Sequence, residues 1–301
     1  MPLRVATRGS ALARWQADAV TVRLRHAHPG LEIATVVVQT SGDRNQDVPI
    51  SEIGGQGVFV KEVQAAVIEG RADIAVHSAK DLPSWATPGL TLAAFPVRDD
   101  PRDALVGATI AGLGPGATIA TGSVRRRAQL GALRPDLAFV SLRGTIATRL
   151  QRVPRGGAIV VAAAALDRLG LTGRAAEVVS AARMLPQVAQ GALAVECRTG
   201  DDATVGLLAA IDDPAVRVTV EAERAFLARI GSGCDLPVAA HATVDATGSA
   251  GIEGLIASPD GRTVLRARRD GAVPDLARMA VDLAAHLLDE RGGAALLVTG
   301  P

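Results

Sequence analysis

Residues 72–83 read ADIAVHSAKDLP. The first half, Ala72 to His77, is a short apolar run that reads as a strand buried on both faces. The second half, Ser78-Ala79-Lys80-Asp81 before Leu82-Pro83, is a turn that stops it. Outward toward the N-terminus, LRVATR (3–8) is strand-like, and Ala11 to His28 reads as a helix closed by Pro29-Gly30. On that helix Leu12, Trp15, Ala19 and Val22 fall on one face, the expected buried one. Glu32 to Thr40 is a β-branched strand, Ser41 to Gly57 a polar, glycine-rich loop, and Val58 to Glu69 a helix closed by Gly70. A strand–helix–strand–helix–strand rhythm of this kind implies a mostly parallel sheet covered by helices. Ligands of such sheets sit beyond the carboxyl ends of the strands, where Thr7-Arg8 and His77 to Asp81 fall.

Toward the C-terminus a second unit begins near Asp99-Asp100-Pro101. Residues 117–130, 137–150 and 157–171 each run from an apolar strand into a helix start that carries Ser, Thr or Gly with Arg. Residues 184–198, MLPQVAQGALAVECR, read as a crossover back to the first sheet. After Asp212-Asp213-Pro214 the pattern changes to a helix (Ala215 to Ile230), a cysteine-bearing turn, alternating short strands and a last helix (Pro274 to Glu290). That is a small α+β domain. The fold class expected is therefore α/β, with two lobes of mixed, mostly parallel sheets and a small C-terminal α+β domain.

Composition narrows the function. The 301 residues are long enough for two or three domains of about 100–150 residues each, and a hydrophobic content of 48% supplies real cores. With 32 basic against 31 acidic residues there is no net field to draw the chain to nucleic acid or anionic lipid. Aromatics at 2% and no tyrosine argue against a base-stacking nucleic-acid binder. No uncharged apolar run reaches the length of a membrane span, and MPLRVATRGS carries no signal-peptide pattern. The expectation is a cytoplasmic protein with no nucleic-acid or membrane partner. Two cysteines make no disulfide framework, and the five histidines show no metal-ligand spacing, so no metal is expected.

Several groups could carry chemistry. Arg8, Arg125, Arg126, Arg143 and Arg149 sit at strand-to-helix transitions, where free N–H groups and planar guanidinium forks suit carboxylate or phosphate; each could equally be a solvated surface residue. The only lysines are Lys61 and Lys80. Asp81 either steadies a developing cation or relays a proton, or simply forms a turn before Leu82-Pro83. His77 reads as a hydrogen-bonded structural histidine, and Lys61 with Glu62 as an exposed helix pair. Gly54-Gly55-Gln56-Gly57 is a weak phosphate-loop signal and reads better as a lid. Cys197, in GALAVEC, reads as core. Cys234 lies in GSGCDLP (231–237), where it is an inert turn residue or a thiol presented to an electrophile.

Taken in order, these stretches resemble the porphobilinogen deaminase family. The resemblance runs through ATRGSALARWQA (6–17), GDRNQDVPISEIGGQGVFVKE (42–62), the opening ADIAVHSAKDLP, DDPRDALV (99–106), TGSVRRRAQL (121–130), SLRGTIATRL (141–150), LDRLGL (166–171), LPQVAQGALAVECR (185–198) and EAERAFLARIGSGCDLPVAAHA (221–242). It implies three domains: residues 1–96 with 189–211, residues 102–186, and residues 215–301. The first two are similar to lobes of type-2 periplasmic binding proteins, with the active cleft between them. It further implies an enzyme that joins four porphobilinogen molecules head to tail, releasing ammonia at each step, to give hydroxymethylbilane. The chain grows on a dipyrromethane cofactor held as a thioether by the cysteine matching Cys234. Asp81 matches the catalytic aspartate. Arg8, Gln16, Ser78, Lys80, Thr121, Ser123, Arg125, Arg126, Arg143, Arg149, Arg168, Gln190 and Gly191 match positions that contact cofactor or substrate. A monomer is implied.

Five positions depart from the family pattern, one of them Ser232, which stands where a glycine is common in the cysteine turn. Glu52 and Gln56 stand where lysines are common in the glycine loop, Gly122 replaces a hydroxyl residue, and Thr145 replaces an asparagine. The rival reading is a non-enzymatic, two-lobed protein that binds a carboxylate ligand; the cysteine-bearing domain speaks against it.

Overall fold

The computed structural model describes residues 1–40, 60–231 and 236–297. The chain divides into two compact units, Met1–Asp99 with Gly191–Arg217, and Asp100–Gln190 with Val218–Pro301.

The first unit contains β1 (Leu3–Arg8), α1 (Ala11–Ala27), β2 (Ile33–Val38), α2 (Lys61–Ile68), β3 (Ile74–Ser78), a 3₁₀ turn (Ala79–Asp81), β4 (Leu90–Ala94), β10 (Leu193–Arg198) and α6 (Asp202–Ala209). Its sheet has the order β2-β1-β3-β10-β4. β1 pairs in parallel with β2 and β3, whereas β10 is antiparallel to both β3 and β4. All strands but β10 therefore point one way. The side-chain period of two splits the core between the faces: Val5, Ile74 and Val76 join Ala17, Val20 and Leu24 of α1, while Ala6 and Ala75 join Val63, Ala66 and Val67 of α2.

The buried face of α1 is not the expected one. Trp15 and Val22 are exposed; Ala13, Gln16, Ala17, Val20, Thr21 and Leu24 face the sheet. Small Ala13 and Ala17 let the helix backbone approach the strands, and a hydrogen-bonded Gln16 is accommodated among them. Ser10 starts this helix, its hydroxyl accepting from the Ala13 N–H at 3.3 Å.

The second unit contains β5 (Asp103–Val106), β6 (Thr118–Ala120), α3 (Val124–Leu133), β7 (Ala138–Val140), α4 (Ile146–Leu150), β8 (Ala158–Ala162), α5 (Ala163–Arg168) and β9 (Glu177–Val179). The order β7-β6-β8-β5-β9 repeats the pattern of the first sheet, with β5 as the reversed strand. Then come α7 (Pro214–Ile230), β11 (Val238–Val244), β12 (Ser249–Ala257), β13 (Val264–Ala272), α8 (Leu276–Ala285) and α9 (Gly293–Leu297). The three strands form an antiparallel sheet, β11-β12-β13. Ala128 of α3 and Leu185 are buried with Ala239, Leu255 and Ala257 of that small sheet. This is the α/β class with a small C-terminal α+β domain that the sequence predicts. The last helix is shorter than expected: it follows a 3₁₀ turn at Val273–Asp275 and widens into a π turn at His286–Glu290.

Candidate functional site

In the first unit the candidate residues gather where β1 and β3 end. Ser78 closes β3, and Ala79 to Asp81 form the 3₁₀ turn. The Ala79 N–H donates to the Ala192 carbonyl at 3.0 Å, fastening the turn to the approach of β10. The Gln16 amide donates to the Ser78 hydroxyl at 2.7 Å, fastening it to α1. Arg8, Ser78, Lys80 and Asp81 are half-buried. Behind the turn, buried His77 stands with Nε2 3.1 Å from Glu196 Oε2. Gln64 donates to both Glu196 oxygens, at 3.1 and 2.9 Å, and to the Thr87 hydroxyl at 2.9 Å. His77 is buried as a structural histidine is, but its Nε2, though close to Glu196, makes no hydrogen bond among the described residues, so the expected hydrogen-bonded state is not seen at that atom. Glu62 departs from the exposed-pair reading: it is half-buried, while Lys61 is exposed.

In the second unit the junction between β6 and α3 converges, with Gln190, on one buried carboxylate. Asp103, fully buried at the start of β5, accepts from Arg125 Nη2 at 2.7 Å, from Arg126 Nε at 3.0 Å and Nη2 at 2.7 Å, and from Gln190 Nε2 at 2.9 Å. Arg125 Nη1 donates to the Leu185 carbonyl and Arg126 Nη1 to that of Val160. Burial alone would raise the Asp103 pKa; the two guanidiniums outweigh it and hold the carboxyl ionised well below the usual range. Burial also pulls the Arg125 pKa below its usual value, against the attraction of Asp103.

One carboxylate between two guanidiniums leaves an excess positive charge in a buried place. Arg125 Nε is buried there with no hydrogen-bond partner among the described residues; at the next junction Arg143 Nη1 is likewise buried without one. Unspent buried N–H groups of cations are costly unless an anion completes them. The arrangement fits a ligand rich in carboxylates.

The neighbouring junctions are held by short local hydrogen bonds. Ser123 caps α3, accepting from the Arg126 N–H at 3.4 Å, and buried Thr121 accepts from the Ser123 N–H at 3.2 Å. A Cβ at Gly122 would lie 2.9 Å from the Leu142 carbonyl oxygen, so this backbone has no room for the hydroxyl side chain of the family pattern. Gly144 follows Arg143 with φ +108°, a conformation that glycine alone adopts without strain. Thr145 caps α4 by accepting from the Thr148 N–H at 3.3 Å, a task its asparagine counterpart could equally perform. Half-buried Arg149 donates from Nε to the Gly144 carbonyl at 2.8 Å, and Arg168 is buried at the end of α5. Gln190, fully buried, also donates to the Pro101 carbonyl, while the Gly191 carbonyl accepts from the Asp99 N–H.

Sequence reasoning passed over Asp103, Glu196 and Glu223. Each is an acidic residue buried in the structure, and an acid inside an otherwise apolar stretch such as DALV or LAVEC is the signal that could have marked the first two. Glu223 accepts from the N–H groups of Ala189, at 2.6 Å, and Ala242, at 2.8 Å. Ala189 has φ +59°, a positive value unique among the described non-glycine residues. Cys197 is fully buried, and burial raises its thiol pKa, as a core cysteine requires. Cys234, Glu52 and Gln56 lie outside the described residues, as does the Gly54 to Gly57 lid reading. Among the described residues no cluster of metal-binding side chains occurs, and no helix is long and apolar enough to cross a membrane.

Two mixed α/β sheets, buried arginines in excess of their acid partner and a turn presenting an aspartate are features suited to a protein of carboxylate-rich ligands. Residues 3–206 match the family model described as porphobilinogen deaminase, dipyromethane cofactor binding domain, and residues 217–289 match porphobilinogen deaminase, C-terminal domain. The porphobilinogen deaminase of Syntrophotalea carbinolica is 47% identical over 95% of this chain and 92% of its own length. That of Roseiflexus castenholzii is 48% identical over 98% of each chain. This chain belongs to the porphobilinogen deaminase family, a family of transferases of porphyrin biosynthesis that use a dipyrromethane cofactor. The non-enzymatic reading is accordingly not favoured. Solved structures similar to parts of the chain include a TRAP periplasmic solute binding protein from Pseudomonas putida F1, at TM-score 0.39 and 10% identity, covering 74% of this chain and 79% of that one. The periplasmic aliphatic sulphonate binding protein SsuA from Escherichia coli matches at TM-score 0.38 and 15% identity, covering 76% and 70%.

Proposed function

We propose that this chain condenses four porphobilinogen molecules head to tail into hydroxymethylbilane, with loss of ammonia at each addition. The observation that carries the reading is the buried Arg125–Asp103–Arg126 cluster with its excess positive charge and unspent N–H group. Each pyrrole unit bears an acetate and a propionate, so a growing chain is a polyanion. Arg125, Arg126 and Arg143, with Arg8, Lys80, Arg149 and Arg168, hold its acid arms. Thr121, Ser123, Gln16, Ser78, Gln190 and Gly191 position those groups or contact the ligand themselves.

Cys234 would hold the dipyrromethane as a thioether, and the cofactor bound there would supply the nucleophilic carbon from which the chain is extended. Asp81 acts on the incoming pyrrole. As ammonia leaves, positive charge develops on that ring, and a fixed carboxylate beside its N–H stabilises the charge. Asp81 also moves the proton that departure and ring rearomatisation require. Residues 1–96 with 189–211, and 102–186, serve as the two lobes, and 215–301 as the anchoring domain. The enzyme works as a cytoplasmic monomer, with porphobilinogen as its small-molecule partner and no nucleic acid.

Mass spectrometry of the intact protein tests this. A freshly purified sample is heavier than its sequence by one dipyrromethane, and stepwise addition of porphobilinogen adds discrete pyrrole increments. An unmodified mass that porphobilinogen never alters would overturn the reading.

A further inference from the structure

We propose that Asp103 is a positioning residue, a buried carboxylate that sets the placement of Arg125 and Arg126 and leaves the pair deliberately short of one negative charge for a ligand carboxylate to supply. The inference rests on the function proposed above and assigns a role to a residue outside the set matched by family resemblance.

Three features carry it. First, Asp103 is fully buried, and its oxygens accept from three different side chains: both arginines and Gln190. A carboxylate forked between two guanidiniums fixes both planes, because each pairing is directional. Second, the donors spent on protein are the ones that orient, and one is kept back. Arg126 uses Nε, Nη1 and Nη2 on Asp103 and the Val160 carbonyl, while Arg125 uses both Nη atoms and keeps its buried Nε without a partner among the described residues. Third, the arrangement reaches the connection between residues 189 and 191. Gln190 holds Asp103, and its neighbour Ala189 is kept at φ +59° with its N–H on the buried Glu223 carboxylate at 2.6 Å. A residue that only neutralised charge would need one arginine partner, not two, and no third donor from a distant segment.

Asp103→Asn, Asp103→Glu and the parent protein are compared by thermal melting, intact mass and steady-state porphobilinogen consumption well below the melting temperature. The parent mass stands apart from the comparison: a parent without the dipyrromethane increment removes the proposed function itself, whatever Asp103 does. With the parent modified, the expected result is that folded Asp103→Asn carries less dipyrromethane and shows a KM raised on the order of ten- to a hundredfold, the scale of one lost hydrogen bond to a charged group. Its kcat changes far less. Asp103→Glu keeps the charge but moves it by one methylene, so its KM falls between the two. Folded Asp103→Asn with parental occupancy and KM would overturn the inference, since a purely structural role lowers the melting temperature and leaves KM alone. If Asp103→Asn does not fold, Asp103→Glu decides: a raised KM at retained melting temperature supports the role, and an unchanged KM overturns it.

Discussion

Gln16, on the buried face of α1, donates its amide to the hydroxyl of Ser78, the last residue of β3, across 2.7 Å. The bond couples a helix that begins at the end of β1 to the turn that presents Lys80 and Asp81. Gln16→Leu fills a similar volume but cannot donate. A hydrogen bond of this kind is worth about 1 kcal/mol net, so urea unfolding should show a loss of about that size. Turnover should fall further, roughly tenfold, because a catalytic group set slightly out of place is costly. Parental turnover in a variant that is measurably destabilised would separate Ser78 from the chemistry.

Asp81 ends a three-residue turn fixed at Ser78 by Gln16 and at Ala79 by the Ala192 carbonyl. Asp81→Asn keeps shape and hydrogen-bonding capacity but removes charge and basicity. Turnover should fall by about 10²–10⁴, the range of a lost acid–base group, while the melting temperature and the dipyrromethane increment in the mass stay near parental. Turnover within a few-fold of the parent would remove Asp81 from its role.

What sequence made legible followed from local pattern, and what it hid depended on partners far along the chain. The strands around Ala72 to His77 and the break at Asp99-Asp100-Pro101 are visible as apolar runs and turn residues, and both stand in the structure. The face of α1 was misread because Trp15 and Val22 look like core, whereas shape rather than hydrophobicity chose Ala13 and Ala17. Asp103 sits within DDPRDALV beside other acids and an arginine that resemble a polar turn. Its partners lie 22, 23 and 87 residues away, a distance at which no periodicity speaks. Resemblance matches the arginines to ligand contacts, but Arg125 and Arg126 spend much of their hydrogen bonding on Asp103 and backbone carbonyls, which no local pattern shows. The departure at Gly122 was visible at once; its cause, the nearby Leu142 carbonyl, was not.

Gly144 offers a test of the junction geometry. Its φ is +108°, and a Cβ there would lie 3.0 Å from Thr148 Cγ2. Gly144→Ala should cost about 1–3 kcal/mol of unfolding free energy, the range for a non-glycine residue forced into such backbone. Because the Gly144 carbonyl receives Arg149 Nε at 2.8 Å and Arg143 is its direct neighbour, KM for porphobilinogen should rise as well. A variant with parental stability and KM would show that the loop relaxes without disturbing either arginine.

The Asp103 carboxyl gives a pH dependence with a definite sign. Its folded pKa lies below the ordinary value because Arg125 and Arg126 outweigh the opposing effect of burial. A depressed carboxylate contributes stability that is complete above its unfolded pKa of about 4 and is lost as pH falls through the folded value. Removing the charge leaves two buried guanidiniums uncompensated, a change that costs about 3–5 kcal/mol. Asp103→Asn should therefore be least stable relative to the parent at neutral pH. The gap should narrow as both proteins are acidified below about pH 4, where the unfolded parent takes up the proton first, and close as pH falls through the lower folded value. Other carboxylates titrate alike in the two proteins and cancel in the difference. Urea unfolding followed by circular dichroism between pH 7 and the acid limit measures it. Stability curves that stay parallel through that range would mean that Asp103 is not the charge holding Arg125 and Arg126.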